Sequence, residues 1–494
     1  MNISGIFESL KFSSNHPLFY NSVLFFALFT LFYAVYMLAF NKVKLRNLLL
    51  LLFSLYFYFK VSGLFVIILL LISTSDYFIG LWIFYTKSNA LKKILLTLSL
   101  LIDLGYLAYY KYFDFVLQTF GIENSHIYPF ISNILVPIGI SYFVFKTLTY
   151  IFDIYRERMD EPEHNYINYV LYVSFFPNIL AGPISKARDL LPQIKNKLVI
   201  TEEHIGRGFF LILTGAFKKV FVADYLANNL VDRVFDTPTL YTGFENLMAT
   251  YSATIQIYFD FSGYTDIVIG IAFLLGFTIQ PNFNKPFLAQ NVTEFWRRWH
   301  ITLSQWMNEY LFYQFSFSLR RFRMFGVIVA VLLTFFISGV WHGANWTFIL
   351  WGCSHGLAIA YDVITKGTRV SIAKVIPAPI YRFISIFITL NFLSLSIILF
   401  RSSDITKAMQ MYETIFMNFD LGIARDWFAA YTYPFAMVLF AYVLHYLPQQ
   451  WNNSLTNIYI KMHWTLKAII AFVAILLIYQ AFNTDTQPFI YLEF

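Results

Sequence analysis

The sequence predicts an all-α integral membrane protein, and three observations predict it. Of its 494 residues, 58% are hydrophobic and only 13% are charged, about half the charged fraction of a soluble chain. Mean hydropathy is +0.60. Apolar stretches of about 20 residues, long enough to cross hydrocarbon, recur along the chain, and Lys and Arg gather in the short polar gaps between them. The bilayer, not a soluble domain size, therefore sets the unit of organisation.

In chain order the candidate membrane segments are 18–40, 46–60, 61–85, 94–119, 131–154, 166–181, 205–222, 246–277, 325–341, 344–361, 380–400, 431–447 and 466–482. Several are short for a full crossing, so the expectation is roughly ten to thirteen membrane segments. No internal repeat or low-complexity linker divides them, and residues 1–494 read as one polytopic domain. Lys42, Lys44 and Arg46 follow the first segment, which places that loop in the cytoplasm and the N-terminus outside. Lys87, Lys92, Lys93, Arg156 and Arg158 continue the alternation. Lys186, Arg188, Lys195 and Lys197 then make 166–181 a re-entrant hairpin, interrupted by Pro177 and by Ala181–Pro183. Broken backbone at membrane depth is tolerated only where it is buried in protein or lines a cavity. Arg320, Arg321 and Arg323, and later Lys366 and Arg369, are again cytoplasmic, and the C-terminus ends outside. The N-terminal residues do not read as a cleaved signal peptide.

One cysteine, Cys353, excludes a disulfide framework and a cysteine-built metal site; no metal site is expected. The net charge of +7 fits cytoplasmic Lys and Arg rather than nucleic-acid binding, since no basic aromatic module of that kind occurs. A serine-elbow motif, a zincin helix and a Walker A loop are all missing from the sequence.

Four polar groups interrupt the apolar pattern. His342 lies between Met324 and Tyr361, where there is no Asp, Glu, Lys or Arg. An ionisable side chain at such a place marks a functional site, against the plainer reading of a helix-packing histidine. In a continuous helix Asn345 would share its face at i+3. Gly339, Gly343 and Ala344 allow close helix approach, and a break near Gly339–Gly343 is expected, because an uninterrupted helix would carry His342 to the outer face. The second group, "TEFWRRWHITLSQW" over 293–306, puts Trp296, His300 and Ser304 on one helical face. Its Trp296, Trp299 and Arg297 also suit an interfacial helix. In the third, "YFDFSGYTD", Asp260 and Tyr264 form an i, i+4 pair. Asp260 and Asp266 point about 240° apart, so a polar clamp between helices competes with a substrate-lining role. The fourth, "GCSHG", places Cys353 near His355, but small residues at a helix interface account for it and no cation is close enough to activate the thiol. A membrane imidazole without a nucleophilic partner suits a general base that meets an activated thioester donor. A proton-coupled transporter is the rival from another class, with the carboxylates and histidines as a relay, but the internal symmetry of many transporters is missing.

Taken together, "FPNILAGPISKARDLLPQ" (176–193), "YFDFSGYTDIVIGIAFLLGF" (258–277), "NFNKPF" (282–287), "TEFWRRWHITLSQW" (293–306), "SGVWHGANWTFILWGCSHG" (338–356) and the terminal "PFIYLEF" (488–494) resemble the membrane-bound O-acyltransferase (MBOAT) family. The similarity is to its bacterial branch of alginate and peptidoglycan O-acetyltransferase membrane subunits, which also holds the teichoic-acid D-alanyl transferases. The resemblance implies a ring of membrane helices and re-entrant segments around a tunnel, His342 as the catalytic histidine and His300 as the second functional position. Asn345, Trp296, Trp299, Asp260, Tyr264 and Arg297 would line the substrate path, with both imidazoles on one cavity. It further implies acetyl-CoA or a similar acyl thioester as donor, with no bound cofactor. The implied acceptor is an extracytoplasmic polysaccharide, reached through an SGNH-type partner; the short aromatic tail, outside by the charge count, is expected to dock that partner through Tyr491 and Phe494. The setting would be the inner membrane. Teichoic-acid D-alanylation is the alternative within the family.

Overall fold

The computed structural model describes residues 11–13, 17–20, 22–122 and 136–482. They are helical, with no β-strand among them. The helices are α1 (Val23–Ala39), α2 (Val43–Ser62), α3 (Val66–Tyr85), α4 (Asn89–Leu107), α5 (Phe113–Thr119), α6 (Ile140–Tyr155), α7 (Tyr166–Ser174) and α8 (Ala187–Lys195). Next come α9 (Glu202–Phe217), α10 (Asp232–Asp236), α11 (Gly243–Leu274), α12 (Val292–Trp296), α13 (Ile301–Met307), α14 (Tyr313–Ser318), α15 (Arg323–His342) and α16 (Trp346–Ile364). The chain continues with α17 (Lys366–Val375), α18 (Ala378–Arg401), α19 (Ile405–Met417), α20 (Ala424–Ala430), α21 (Thr432–Tyr446), α22 (Gln449–Lys461) and α23 (Trp464–Phe482). Two units emerge: residues 1–212 with 267–280, and residues 213–266 with 281–494.

Among the described residues, five stretches are long and apolar enough to cross a membrane, or seven if two bent helix pairs each count as one. One of the five is the 43-residue run Val43–Tyr85, about 64 Å as a straight helix and so about twice the hydrocarbon thickness. Gly63, at φ +60°, breaks it into α2 and α3, as the segments 46–60 and 61–85 anticipate. Other anticipated segments are interrupted rather than continuous. Residues 205–222 pass from α9 into a π-helical run, Lys218–Asp224. Residues 431–447 form α21, bent by 87° from α20, and α22 and α23 meet at 116°.

The first unit is tied by polar contacts between apolar helices. Ser99 Oγ on α4 donates to Asp76 on α3 at 2.6 Å, and Thr147 Oγ1 on α6 donates to Asp103 on α4 at 2.8 Å. In an apolar bundle such bonds fix which helix faces meet. The 166–181 segment is not one helix. The 9 residues of α7 span about 14 Å, under half of a bilayer core. Beyond α7 the chain turns through Phe176–Asn178 and runs irregularly to Ser185 before α8. This broken stretch is buried, and Asn178 satisfies it by donating to Pro183 O and Ser185 Oγ while accepting from Lys146 Nζ. Arg46, which the charge pattern marks as a topological signal, is buried and donates to Ile194 O and Asn196 O at the end of α8.

In the second unit α15 and α16 form an antiparallel hairpin. Gly339 and Gly352 face each other, and a Cβ on either would collide with the backbone of the other helix. With no side chain at either glycine, the two axes approach closely and the hairpin tip is held narrow.

Candidate active site

His342 is the last residue of α15. Gly343 then turns to extended backbone, and Asn345 caps α16 by accepting from Thr347 N at 3.1 Å. The expected break therefore lies at residues 343–345. It overturns the shared helical face of His342 and Asn345, because helical spacing does not run through a break. Asn345 instead uses its amide N–H on Ser403 O at 2.7 Å. His342 is 3% exposed. Its Nδ1 lies 2.7 Å from Ser338 O. A carbonyl only accepts, so Nδ1 carries the proton and Nε2 carries the lone pair of the neutral ring. The rings of Trp341, Trp351 and Phe400 stand edge-on around the imidazole, at 4.9, 4.7 and 5.7 Å between centroids.

His300 reaches the same neighbourhood from a turn. The structure corrects the expectation of one helix over 293–306: α12 ends at Trp296, residues 297–299 turn, and His300 takes left-handed backbone at φ 42°, ψ 54° before α13 begins. Trp296, His300 and Ser304 thus share no continuous face. The turn is held by Asn282 of the "NFNKPF" stretch, whose carbonyl accepts from Ile301 N at 2.9 Å and whose side-chain oxygen accepts from Thr302 Oγ1 at 2.7 Å. His300 is wholly buried. It packs on Phe261 of the "YFDFSGYTD" stretch at 4.8 Å and on Trp341 at 6.3 Å. Trp341 is thus the shared neighbour of the two imidazoles.

A third histidine completes the cluster. Trp296 Nε1 donates to His355 Nδ1 at 3.2 Å, and indole nitrogen can only donate. His355 Nδ1 therefore bears the lone pair and Nε2 bears the proton, opposite to His342. Nε2 donates to Ser396 Oγ at 3.1 Å, and Ser396 Oγ donates to Leu393 O at 2.7 Å. Trp351 lies against both His342 and His355, at 4.7 and 4.8 Å. The cavity at this place is about 20 Å³, and His355, Ser396, Trp299, Trp351 and Phe400 contribute to its wall. It suits about one water molecule. Of the three histidines, His355 is the one in the wall of this small cavity.

The remaining anticipated residues divide. Trp296 and Trp299 join the cluster, Trp299 stacking on Phe295 at 5.5 Å. Asp260 is ion-paired with Lys219 Nζ at 2.6 Å, both side chains 1% exposed, and Asp224 meets the same Lys219 at 2.9 Å. Asp266 pairs separately with Lys218 at 2.6 Å. Asp260 therefore holds α11 to the π-helical run, the polar clamp of the two readings, and the divergence of the two carboxylates appears as two distinct lysine partners. Tyr264 is fully buried on α11. Arg297 is exposed, unlike its neighbours Trp296, Trp299 and His300, while Arg298 pairs with Glu294. Tyr491 and Phe494 lie outside the described residues. Sequence reasoning missed Lys218, Lys219 and Ser396. Two adjacent lysines inside the apolar segment 205–222 were the available signal for the first two; a serine in an apolar helix carried none for Ser396.

Comparison with known proteins agrees with this convergence of motifs. Residues 53–403 match the family model "MBOAT, membrane-bound O-acyltransferase family". The chain is 35% identical over 409 residues to the probable alginate O-acetylase AlgI of Azotobacter vinelandii, covering 81% of this chain and 78% of that one. It is 34% identical over 368 residues to the peptidoglycan O-acetyltransferase of Helicobacter pylori, covering 68% and 67%. Similarity to the teichoic acid D-alanyltransferase of Bacillus subtilis is 31% over 265 residues, covering 50% and 66%. With its apolar helices, its buried histidines and a family match across most of its length, the chain belongs to the membrane-bound O-acyltransferases and is a multi-pass membrane acyltransferase.

Proposed function

We propose that this protein transfers an acetyl group from a thioester donor, acetyl-CoA or a similar cytoplasmic acyl thioester, toward hydroxyl groups of an extracytoplasmic polysaccharide of the alginate or peptidoglycan kind. The observation that carries the reading is His342: buried at a helix break, with Nδ1 tied to Ser338 O and the lone pair left on Nε2. Nε2 takes the proton of an acceptor hydroxyl as its oxygen attacks the thioester carbonyl. The new C–O bond forms, the C–S bond breaks, and the imidazolium returns the proton to the departing thiolate. His300, one tryptophan away, contacts donor or acceptor. An SGNH-type partner receives the acyl group or passes it on, with Tyr491 and Phe494 as its docking residues. The protein sits in the inner membrane with both termini outside the cytoplasm. O-acetylation is preferred to D-alanylation because the O-acetylating relatives align over more of the chain.

Replacing His342 by Ala in cells tests this. Loss of a general base costs about 10²–10⁴ in rate, so ester-linked acetate on the polysaccharide should vanish while the membrane level of the protein stays normal. Unchanged polysaccharide acetylation in that strain refutes the reading.

A further inference from the structure

The Trp296–His355–Ser396 chain has no part in the proton transfer at His342, yet it is a buried polar network that continues to Leu393 O. It joins three helices: α12 through Trp296, α16 through His355 and α18 through Ser396. A second link runs parallel to it, since Thr293 N and Oγ1 on α12 both donate to Asp362 on α16, at 2.8 and 3.0 Å. α12 leads directly into the turn that presents His300. α16 carries Trp351, one turn before His355, with its ring between those of His355 and His342.

His355 could be taken for a base that activates Ser396 as a nucleophile. The hydrogen-bond directions argue against it. With Nδ1 accepting from an indole, Nε2 holds the proton and donates toward Oγ, and the hydroxyl proton is directed to Leu393 O. An imidazole in that tautomer cannot accept the serine proton.

We propose that His355 is a positioning residue that sets the His300 turn in register with the His342 hairpin, acting through Trp296 on one side and Trp351 on the other. The assignment rests on the acyl-transfer reading of His342. Its chemistry requires one acceptor and one donor on a planar group, both aimed in fixed directions. An amide offers the same pair, whereas an alkyl side chain of similar size offers neither.

The test is acyl transfer from acetyl-CoA by the full-length detergent-purified protein, comparing His355→Gln, His355→Leu and His342→Ala with the parent, alongside thermal unfolding of each. His355→Gln should stay within about threefold of the parent in kcat. His355→Leu should lose at least about thirtyfold in kcat although His342 itself is kept, a loss that the amide of His355→Gln rescues. The proposal is overturned if His355→Gln is as inactive as His342→Ala, because imidazole chemistry itself is then required, or if His355→Leu matches the parent. Should His355→Leu fail to fold, Trp296→Phe and Ser396→Ala decide. Each removes one link, and a fall in kcat of about fivefold or more at unchanged thermal midpoint supports positioning, while full activity in both contradicts it. Retained activity in His342→Ala would instead mark failure of the underlying acyl-transfer reading.

Discussion

His300 shows how one residue can serve chemistry against local backbone preference. Its left-handed conformation costs a side-chain-bearing residue about 1–2 kcal/mol, and such outliers gather at functional sites. Asn282 supplies the hydrogen bonds that hold it. Glycine adopts this backbone freely, so His300→Gly should be more stable than His300→Ala by about 1 kcal/mol, read as a higher thermal midpoint in detergent, while both lose at least tenfold in acyl transfer. An active His300→Gly would show that only the turn matters. Asp404 is a contrasting case outside the membrane spans. It caps α19 through Lys407 N at 2.9 Å, and that backbone hydrogen bond, ahead of the Ser403 hydroxyl, holds its carboxyl below the ordinary range. A lowered pKa gives stability that is present above the unfolded value and lost as pH falls through the folded one. Asp404→Ala should therefore cost about 1 kcal/mol at pH 7, with the gap to the parent narrowing below about pH 4. A gap independent of pH would assign the effect to something other than the ionised cap.

Among the elements, the pairing of α11 with the Lys218–Asp224 run is held by a buried charge cluster. Lys219 meets Asp260 and Asp224 at once. Removing one member of a buried pair costs about 3–5 kcal/mol because the remaining charge is uncompensated. Lys219→Met should leave two carboxylates facing each other and sharply reduce the folded protein recovered from membranes, whereas Lys219→Met with Asp260→Asn should recover much of the loss. Equal yields of the single and double variants would show that the pair is not what holds these elements. This clamp also marks a limit of sequence reading. The divergence of Asp260 and Asp266 was legible from helical geometry, but their partners lie 41 and 48 positions earlier, inside a segment read only for its hydropathy. Periodicity failed for a related reason at 297–300 and 343–345. It presumes an unbroken helix, and at both places the backbone leaves the helix at or beside the histidine it presents. Gly343 made the second break legible. The first, centred on a left-handed histidine, carried no glycine to signal it.

For the whole molecule, composition and apolar stretches were enough for the membrane class, and the motifs together were enough for the family. What composition could not convey is that the apolar helices differ in role. In α11, 89% of the apolar window is buried, against 33% in α18, so α11 is a core helix with membrane-like composition. The tail at 488–494 remains the proposed partner surface. Its deletion should leave a stable protein that still hydrolyses a donor thioester but no longer supports polysaccharide acylation; a collapse in membrane protein level would assign the tail a structural role instead. The central claim is that His342 moves the acyl group from thioester to hydroxyl. It is tested most directly by reconstituting the purified full-length protein in lipid vesicles with its SGNH-type partner, labelled acetyl-CoA and a polysaccharide acceptor, then counting acetyl ester formed per protein. The parent should form ester, and His342→Ala should be slower by about 10²–10⁴. Ester formation by His342→Ala at the parent's rate would contradict the account.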